Sequence, residues 1–485
     1  MKMTAMGVIL ELTETQQTYL DNLMARYCAA VRWSFKRLLE GKGVQDIRQS
    51  VQVKFNFNSR QANDAVYDAQ STIKSQHELV KLHCENARAK VEFTQKRIAK
   101  AKSSKKKANL QKRLEKEQRK LSYWQKHLEG KTFPAVVFGG KKLFQERCKG
   151  NITREEWQEA RSNRYLSRGD KTKGGNLNTR LYEMNGQIYL DIAAEPTGTG
   201  RYKRITVPVY LAHIKSKKTG KINGRNYRQM VLDYLKTGTA YQVEIIRKDV
   251  RYYIHITIEE DVPVPYHAYG AVGVDTNPDG LGITLTDYLG QYRGSQWLGR
   301  GEWTYAGSNR RNNLIGETAK KVVTLAKETG STLAVEDLKF KNDKSVTAKF
   351  NRMSHGFVWS KFLAYIDRYA AREGVPVIKV KPAFTSVIGI LKYQHMYGIS
   401  NHESAGYVIA RRSLGFTHEK IPKVLLDKLI KKKSEFKQMA NWKQWSAVKK
   451  VVLAKINKLT KRKVRSLVSW QVHRENVLGV KTLSL

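Results

Sequence analysis

Two carboxylates in the second half of the chain, Asp275 and Glu336, each follow an apolar run with the composition of a buried strand. Carboxylates at the ends of neighbouring strands meet at one edge of a sheet, where oxygen ligands can bind Mg²⁺. Two such ions can activate a water molecule and stabilise the leaving oxygen of a phosphodiester. Either acid alone is more typical of a solvated turn. Together, with the same flanking pattern, they predict a metal-dependent phosphodiesterase site.

The elements that would position these acids can be read from residue 266 onward. Apolar runs with strand character alternate with segments of helical periodicity. The order is strand, strand, strand, helix, strand, helix, strand, helix, which is that of an RNase H-like α/β fold. The predicted bounds are 271–275, 282–286, 291–298, 310–329, 332–336, 358–373 and 375–380, with the last helix starting near His402.

The first 130 residues predict a short strand at 7–12 followed by helices. Thr13 and Gln16 have the spacing of a capping box that opens a helix, and Asn58 begins another. Residues 85–129 predict a helical hairpin broken near Ser103, with a solvated coiled-coil spacer as the alternative. The lysine run Lys105, Lys106 and Lys107 fits either a turn that faces phosphates or a loop that faces water.

Residues 132–265 are rich in glycine, turns and β-branched residues. They predict a small β-barrel or sandwich, with the helical block 13–130 inserted after its first strand. Its strands are expected at 187–192, 204–210, 241–246 and 251–259, the last two forming a hairpin. The segment 164–171 is expected to be a loop in which Arg164, Arg168 and Lys171 contact phosphate.

The charge balance identifies the class of partner. The chain has 89 Lys and Arg against 43 Asp and Glu, a formal net charge of +46. A globular protein tolerates this excess most readily when a polyanion binds it, so we expect a nucleic-acid partner. No apolar run approaches the roughly 18–20 residues of a membrane span, and the N-terminus lacks the pattern of a signal peptide. We therefore expect a cytoplasmic protein without a membrane partner.

Three stretches, 273–280, 335–338 and 405–412, together with 381–386 before the third, resemble the split RuvC motifs of transposon-encoded TnpB proteins and the compact type V CRISPR effectors. The resemblance extends upstream, where the opening strand and helical insertion are similar to the wedge and recognition domains of that family. It implies a multidomain α+β protein with a β-barrel wedge domain, an inserted helical recognition domain and a RuvC nuclease domain. The implied domains are 1–12 and 131–265 (wedge), 13–130 (recognition), 266–412 (RuvC) and a basic helical segment at 413–485.

The resemblance also implies an activity. Such a protein would be an RNA-guided DNA endonuclease that binds a structured guide RNA and cleaves complementary double-stranded DNA through an RNA–DNA heteroduplex. Asp275 and Glu336 would bind Mg²⁺, with Mn²⁺ as an alternative. The expected protein is a monomer or homodimer that acts at the bacterial nucleoid. The guide source, the target-adjacent motif and the cut positions stay open.

The chain departs from that pattern in two places. No cysteine follows Cys148, so the four-cysteine zinc ribbon often found between the second and third motifs is absent. In the third motif His402 stands where an Asp is usual. His402 could be a metal ligand, since imidazole binds transition metals, or a packing residue at the helix start. Glu403 is the other candidate, although one step along a helix turns a side chain by about 100°.

Two further expectations follow from the third motif. Arg411 and Arg412 lie later in the same helix and are expected to bind phosphate of guide or target rather than act in chemistry. The missing Asp also leaves a second function open, an RNA-guided DNA-binding repressor or targeting subunit with an inactivated RuvC site. A DDE-type transposase would share the RNase H-like core but does not explain the large N-terminal regions.

Overall fold

The computed structural model describes most of the chain as two compact units, Met1–Glu260 and Asp261–Leu485. Lys171, predicted to contact phosphate, and Pro278 and Asp279 of the first acidic motif lie outside the described residues. In the described part, no helix is both long enough and apolar enough to cross a membrane. The described residues are 1–170, 172, 174–196, 202–211, 226–277, 280–299, 301–338, 359–430, 433–461, 467 and 470–479.

The first unit is built on a seven-stranded antiparallel sheet whose order is β2-β6-β7-β1-β5-β4-β3. Its first strand, β1, alternates exposed and buried residues and pairs with β5 and β7, so it lies inside the sheet. The strands are β1 (Lys2–Ile9), β2 (Arg164–Ser167), β3 (Thr179–Met184), β4 (Gln187–Pro196), β5 (Tyr202–Leu211), β6 (Gln242–Lys248) and β7 (Arg251–Glu259).

Three predictions for this unit need correction. The first strand spans Lys2–Ile9 rather than 7–12, because its alternation of small and apolar residues begins at the start of the chain. The hydrogen-bonded strand order does not close on itself, so the expected barrel or sandwich is a half-barrel sheet among the described residues. Arg164–Ser167 is not a loop: it pairs with β6 as an edge strand. A strand of four residues is too short to show a periodic pattern.

The helices of the first unit follow the local signals of the sequence. The capping boxes at Thr13–Gln16 and Asn58–Gln61 are both present, and the predicted break near Ser103 separates two paired helices. Gln61 also donates a 2.9 Å hydrogen bond to the Ala193 carbonyl of β4. The helices are α1 (Glu14–Leu39), α2 (Val44–Phe55), α3 (Ser59–Ala99), α4 (Ser104–Glu129), α5 (Lys141–Cys148), α6 (Arg154–Ala160) and α7 (Tyr227–Lys236).

The second unit contains a five-stranded mixed sheet with the order β10-β9-β8-β11-β12. The first three strands form an antiparallel meander, whereas β11 runs parallel to both β8 and β12. Because β8 and β11 are parallel, their carboxyl ends lie at the same edge of the sheet. The strands are β8 (Gly270–Asn277), β9 (Gly280–Asp287), β10 (Tyr292–Gly299), β11 (Thr332–Glu336) and β12 (Val377–Val380).

The predicted order of strands and helices is present in this unit, with an additional helical stretch before the third motif. That stretch consists of α10 (Thr385–Ile388), a π-helical segment (Gly389–Tyr393) and α11 (Gln394–Tyr397). The other helices are a 3₁₀ turn (Gly301–Thr304), α8 (Ser308–Glu328), α9 (Trp359–Glu373), α12 (Asn401–Ser413), α13 (Lys423–Leu429), α14 (Lys433–Gln438), α15 (Asn441–Thr460) and α16 (Trp470–Leu478).

Candidate functional site

Strand alternation decides which face of the second sheet carries the two acids. Val272 and Val274 of β8, like Leu333 and Val335 of β11, pack in the apolar core formed with α8 and α9. Successive side chains of a strand point to opposite faces, so Asp275 and Glu336 belong to the other face. Helix α12 covers that face. Because Val335 is in register with Val274, the two acids follow at the same level.

Three glycines allow α12 to approach the sheet closely. A Cβ at Gly273 would lie 2.0 Å from the Gly406 carbonyl oxygen, and one at Gly282 would lie 2.3 Å from the His402 carbonyl. A Cβ at Gly406 would lie 2.8 Å from the Gly282 carbonyl oxygen. Contacts this short exclude any side chain. The close approach places the first turn of α12 beside the end of β8, and with it His402.

Asp275 is 6% exposed and lies at the centre of a small hydrogen-bonded group. Its Oδ2 accepts a 2.8 Å hydrogen bond from Asn277 Nδ2 and lies 3.0 Å from His402 Nδ1. The His402 ring stacks on Trp297, with 4.9 Å between the ring centres. His402 therefore contacts a predicted ligand, and its ring orientation is restricted by two neighbours.

Glu336 is 9% exposed, and its Oε1 accepts a 2.6 Å hydrogen bond from Thr385 Oγ1. Burial raises the pKa of Glu336 to about 7; the hydrogen bond from Thr385 opposes this increase, while the nearby charge of Asp275 adds to it. The positive charge of Arg412 also lowers the pKa of Glu336, against the effect of burial. A buried carboxylate whose pKa is raised beside a second buried carboxylate forms a site that a cation would stabilise.

Glu403, the alternative to His402, has a different role in this arrangement. It is the third residue of the α12 capping box, in which its Oε2 accepts a 2.9 Å hydrogen bond from the Ser400 backbone N–H. Its Oε1 accepts a 3.0 Å hydrogen bond from Ser295 Oγ. Burial would raise the pKa of Glu403, but the hydrogen bonds from Ser400 and Ser295 outweigh it and lower the pKa. Its carboxylate is thus occupied in fixing the helix start.

The donor set suits a hard divalent cation in part. Asp275 and Glu336 offer carboxylate oxygens from rigid strands, which are the ligands that Mg²⁺ prefers. His402 is hydrogen-bonded to Asp275 rather than placed as a third ligand. Among the described residues, no group of three His, Cys, Asp or Glu side chains is arranged to hold a metal ion. The side chains that fit a divalent cation are therefore the two acids, and His402 lies beside them.

Both arginines expected to bind phosphate make contacts within the second unit. Arg411 donates to Glu419 Oε1 at 2.6 Å and to the Gly290 carbonyl at 2.8 Å. Arg412 donates to the carbonyls of Lys381 at 2.5 Å and Ala383 at 2.7 Å. These contacts anchor the chain around the site, a role that the sequence pattern did not indicate.

The cations predicted in the first unit lie at two separate places. Arg164 forms ion pairs with Asp68 at 2.6 Å and with Glu244. Arg168 pairs with Asp64 at 2.8 Å, and its guanidinium lies 3.6 Å from the centre of the Tyr67 ring. The exposed Lys105, Lys106 and Lys107 occupy the first turn of α4.

Three residues of the site escaped sequence reasoning. Asn277 lies two positions after Asp275 on the same strand, so strand alternation could have placed it beside the acid. Thr385 lies in the stretch 381–386, but nothing local shows that its hydroxyl reaches Glu336. Trp297 contacts His402 only because β10 and α12 come together in the fold.

Solved structures give distant matches. The chain is similar to a RuvC structure from Thermus thermophilus at 16% identity, over 30% of this chain and 96% of that chain, with a TM-score of 0.21. It is similar to a Cas12f1–sgRNA–target DNA complex at 12% identity, over 85% and 100%, with a TM-score of 0.23. A Cas12i–crRNA–dsDNA complex matches at 9% identity, over 87% and 77%, with a TM-score of 0.34. With TM-scores this low, none of the three establishes a shared fold or activity.

Sequence comparison gives a firmer result for the first unit. No curated protein sequence matches the chain. A family model does match more than half of it, from residue 3 to residue 270, which spans the antiparallel sheet and its helices. The model is that of the SSO2105 N-terminal domain, and the chain belongs to this family.

Proposed function

We propose that this protein is an RNA-guided DNA endonuclease whose RuvC-like, RNase H-like unit uses Asp275 and Glu336 to hold Mg²⁺. One observation carries the proposal. The two acids are buried on the same sheet face, at the ends of adjacent parallel strands, and the charge of Asp275 raises the pKa of Glu336. The net charge of +46 and the motif resemblance support a nucleic-acid partner and a guide RNA.

In this proposal Asp275 and Glu336 would hold the metal, which would supply Lewis-acid activation of water and charge stabilisation for phosphodiester hydrolysis. The protein's own residues prepare the site. Asn277 and His402 hold the Asp275 carboxylate, and Thr385 holds that of Glu336. Because a carboxylate accepts from His402 Nδ1, the contact sets which ring nitrogen carries the proton. His402 is then a positioning residue that acts through Asp275.

The test is to purify the protein with co-expressed RNA, sequence that RNA and assay cleavage of a matching duplex in Mg²⁺ and in Mn²⁺. We expect Asp275→Ala and Glu336→Ala to reduce cutting below detection. Glu328→Ala removes an exposed acid of α8 and serves as the matched control with wild-type activity. Binding without any product in either metal would overturn the nuclease proposal.

A second candidate, an RNA-guided DNA-binding protein with an inactivated site, is favoured by the position of His402. Its Nδ1 lies 3.0 Å from Asp275 Oδ2, an oxygen that a metal would need. The variant His402→Asp separates the two candidates. If the native site is inactive, this change should create cutting where the wild type has none. If the native site is active, His402→Ala should slow cutting by about 10- to 100-fold, as removing an outer partner of a metal ligand does.

A further inference from the structure

A cleft of about 610 Å³ lies in the second unit, with Arg412 among its lining residues. Its walls come from β12, the segment 381–384, the residues after α12 and the start of α15. The volume falls within the ~300–1,000 Å³ of ordinary ligand sites. Among its described lining residues there is no Asp or Glu, and the chemically informative ones are Lys379, Lys381, Phe384, Arg412, His418 and Trp442.

The charges of the cleft favour an anion. Lys379 is paired with Asp367 at 2.9 Å, and Arg412 donates to two backbone carbonyls, which leave its positive charge in place. Lys381 is exposed, and within the described residues no hydrogen bond or ion pair is assigned to its ammonium group. Because Lys379 shares its charge with Asp367, Lys381 is the lining cation best placed to attract a phosphate, with Arg412 as its cationic neighbour.

The aromatic residues of the cleft favour a planar group beside that anion. Trp442 is 58% exposed at the start of α15, although an indole of this size is usually covered. The next turn is fixed, because the buried Trp445 donates through Nε1 to the Glu419 carbonyl at 3.0 Å. Bases stack on such exposed aromatic faces next to basic side chains in proteins that bind single strands.

A strained turn connects the cleft to the acidic site. Phe384 has φ 62° and ψ 14°, the left-handed region that an aromatic residue rarely occupies. This turn lets Phe384 line the cleft while Thr385, the next residue, donates to Glu336. Strain of this kind is retained mostly at functional sites. Consecutive residues of this turn therefore belong to the cleft and to the acidic site.

We propose that this cleft binds one nucleotide of a single-stranded nucleic acid, with the base stacked on Trp442 and the phosphate held by Lys381 and its cationic neighbours. The inference deepens the proposed function, since it assigns the subsite that leads the strand to the cutting site. RNA and DNA share the required chemistry, and the experiment distinguishes them.

The first test is photo-crosslinking with the full-length protein carrying Asp275→Ala, which prevents cutting. The probes are hexanucleotides of DNA and of RNA, each with one 5-iodouracil, a base that crosslinks to adjacent aromatic residues on irradiation. We expect mass spectrometry to find the crosslink on Trp442 or Phe384, and the stronger probe identifies the sugar type. Crosslinks confined to other peptides would overturn the proposal.

The second test measures the affinity of the same hexanucleotides by fluorescence anisotropy. Trp442→Ala should weaken binding about 5- to 150-fold, the usual range for one stacked base, whereas Trp442→Phe should keep most of it. Tyr288→Ala removes another exposed aromatic residue of this unit and should leave affinity unchanged. Equal affinities for folded Trp442→Ala and Tyr288→Ala proteins would refute the subsite.

The two proposals fail separately. A crosslink on Trp442 together with a wild-type protein that never cuts would refute the nuclease and retain the cleft. Cutting that persists unchanged in Trp442→Ala, without a crosslink in the cleft, would refute the subsite alone.

Discussion

His402 occupies the position at which the motif pattern predicts a third acid. Its ring nitrogen Nδ1 is hydrogen-bonded to Asp275. This exchange removes one negative charge from the site and leaves two carboxylates rather than three to bind a cation. Mg²⁺ requires near-ideal octahedral oxygen coordination, whereas Mn²⁺ also accepts mixed nitrogen and oxygen surroundings. The choice of metal is therefore where this one residue should have its clearest effect.

On this basis we expect the wild-type protein to cut its target faster in Mn²⁺ than in Mg²⁺, and His402→Asp to reverse or remove that preference. The measurement is the initial cleavage rate across a titration of each metal. A wild-type preference for Mg²⁺ that His402→Asp leaves unaltered would show that His402 has no influence on the metal.

Thr385 supports Glu336 through a 2.6 Å hydrogen bond. Thr385→Val keeps the shape and removes the donor, so the carboxylate should ionise less readily and cutting should slow by about tenfold or more. Thr385→Ser retains the hydroxyl and should restore most of the rate. The check is single-turnover cleavage by both variants. Equal rates in the two would contradict a role for the hydrogen bond.

At the scale of single residues, the sequence identifies the two acids but not the side chains that form hydrogen bonds or ring contacts at the site. Asp275 and Glu336 stand out because each ends an apolar run, a signal contained within a few residues. Thr385 and Trp297 reach the site through contacts between distant segments, which no local pattern records. The arginines 411 and 412 fitted a phosphate-binding pattern, but their hydrogen bonds to Glu419 and to backbone carbonyls depend on the folded chain.

Among the elements, α12 determines the geometry of the site, because it is the helix that brings His402 to the sheet. Its approach depends on Gly273 facing Gly406, with no room for a Cβ on either. Alternation and helical periodicity predicted both elements, and Thr332–Glu336 was predicted to the residue. The stretch from Thr385 to Tyr397 was missed, since its left-handed turn is at Phe384 rather than at a glycine and its middle is π-helical.

Gly273→Ala should therefore separate α12 from the sheet. The new methyl group would lie 2.0 Å from the Gly406 carbonyl oxygen, so we expect a loss of about 3 kcal/mol in the free energy of unfolding. Gly294→Ala is the control, because a Cβ at Gly294 meets nothing within 4 Å. Denaturant unfolding of both variants checks the prediction. Similar stabilities for the two would contradict this close packing.

The buried carboxylate of Glu419 connects the end of α12 to the segment that follows it. Glu419 is buried and accepts hydrogen bonds from Lys392 at 2.6 Å, from Arg411 at 2.6 Å and from Tyr393. Burial alone would raise the pKa of Glu419, but these three donors outweigh it and lower the pKa. A carboxylate whose pKa is lower in the folded state stabilises the fold above its unfolded pKa of 4.5, and this stabilisation is lost as the pH falls further.

Glu419→Gln should consequently destabilise the second unit at pH 7 by about 2–4 kcal/mol, because two partly buried cations lose their counter-charge. The difference from the wild type should narrow below about pH 4.5, where the carboxylate of the unfolded chain begins to protonate while the native one is still ionised. Unfolding in urea at pH 7 and at pH 3.5 measures both effects. Glu328→Gln, at an exposed position, should change little at either pH, and a constant gap for Glu419→Gln would contradict the titration argument.

For the molecule as a whole, a net charge of +46 makes salt the dominant variable of any binding experiment. The strongest candidate for a phosphate contact in the first unit is the lysine run Lys105, Lys106 and Lys107. These residues occupy the first turn of α4, which contains no acid. Cations at a helix N-terminus are unfavourable next to the helix dipole, and a bound phosphate would relieve this.

Replacing all three lysines by alanine should reduce the slope of log affinity against log salt by up to about 2–3, since each phosphate contact contributes roughly 0.7–0.9. The measurement is the affinity for the co-purified RNA across a salt series. An unchanged slope would show that the three lysines face water, since the structure places them in a helix rather than in the expected turn or loop.

The position of β1 also has a kinetic consequence. Residues 2–8 pair with 253–259, and residues 7–9 pair with 209–211, so β1 lies between two strands that are synthesised far later than it is. At a translation rate of about 5–20 residues per second, β1 would wait roughly 12–50 s for its partners. Such long-range pairing slows folding and leaves an unpaired strand edge open to aggregation. Expression at low temperature or with chaperones should therefore raise the yield of folded protein more than any change within the second unit.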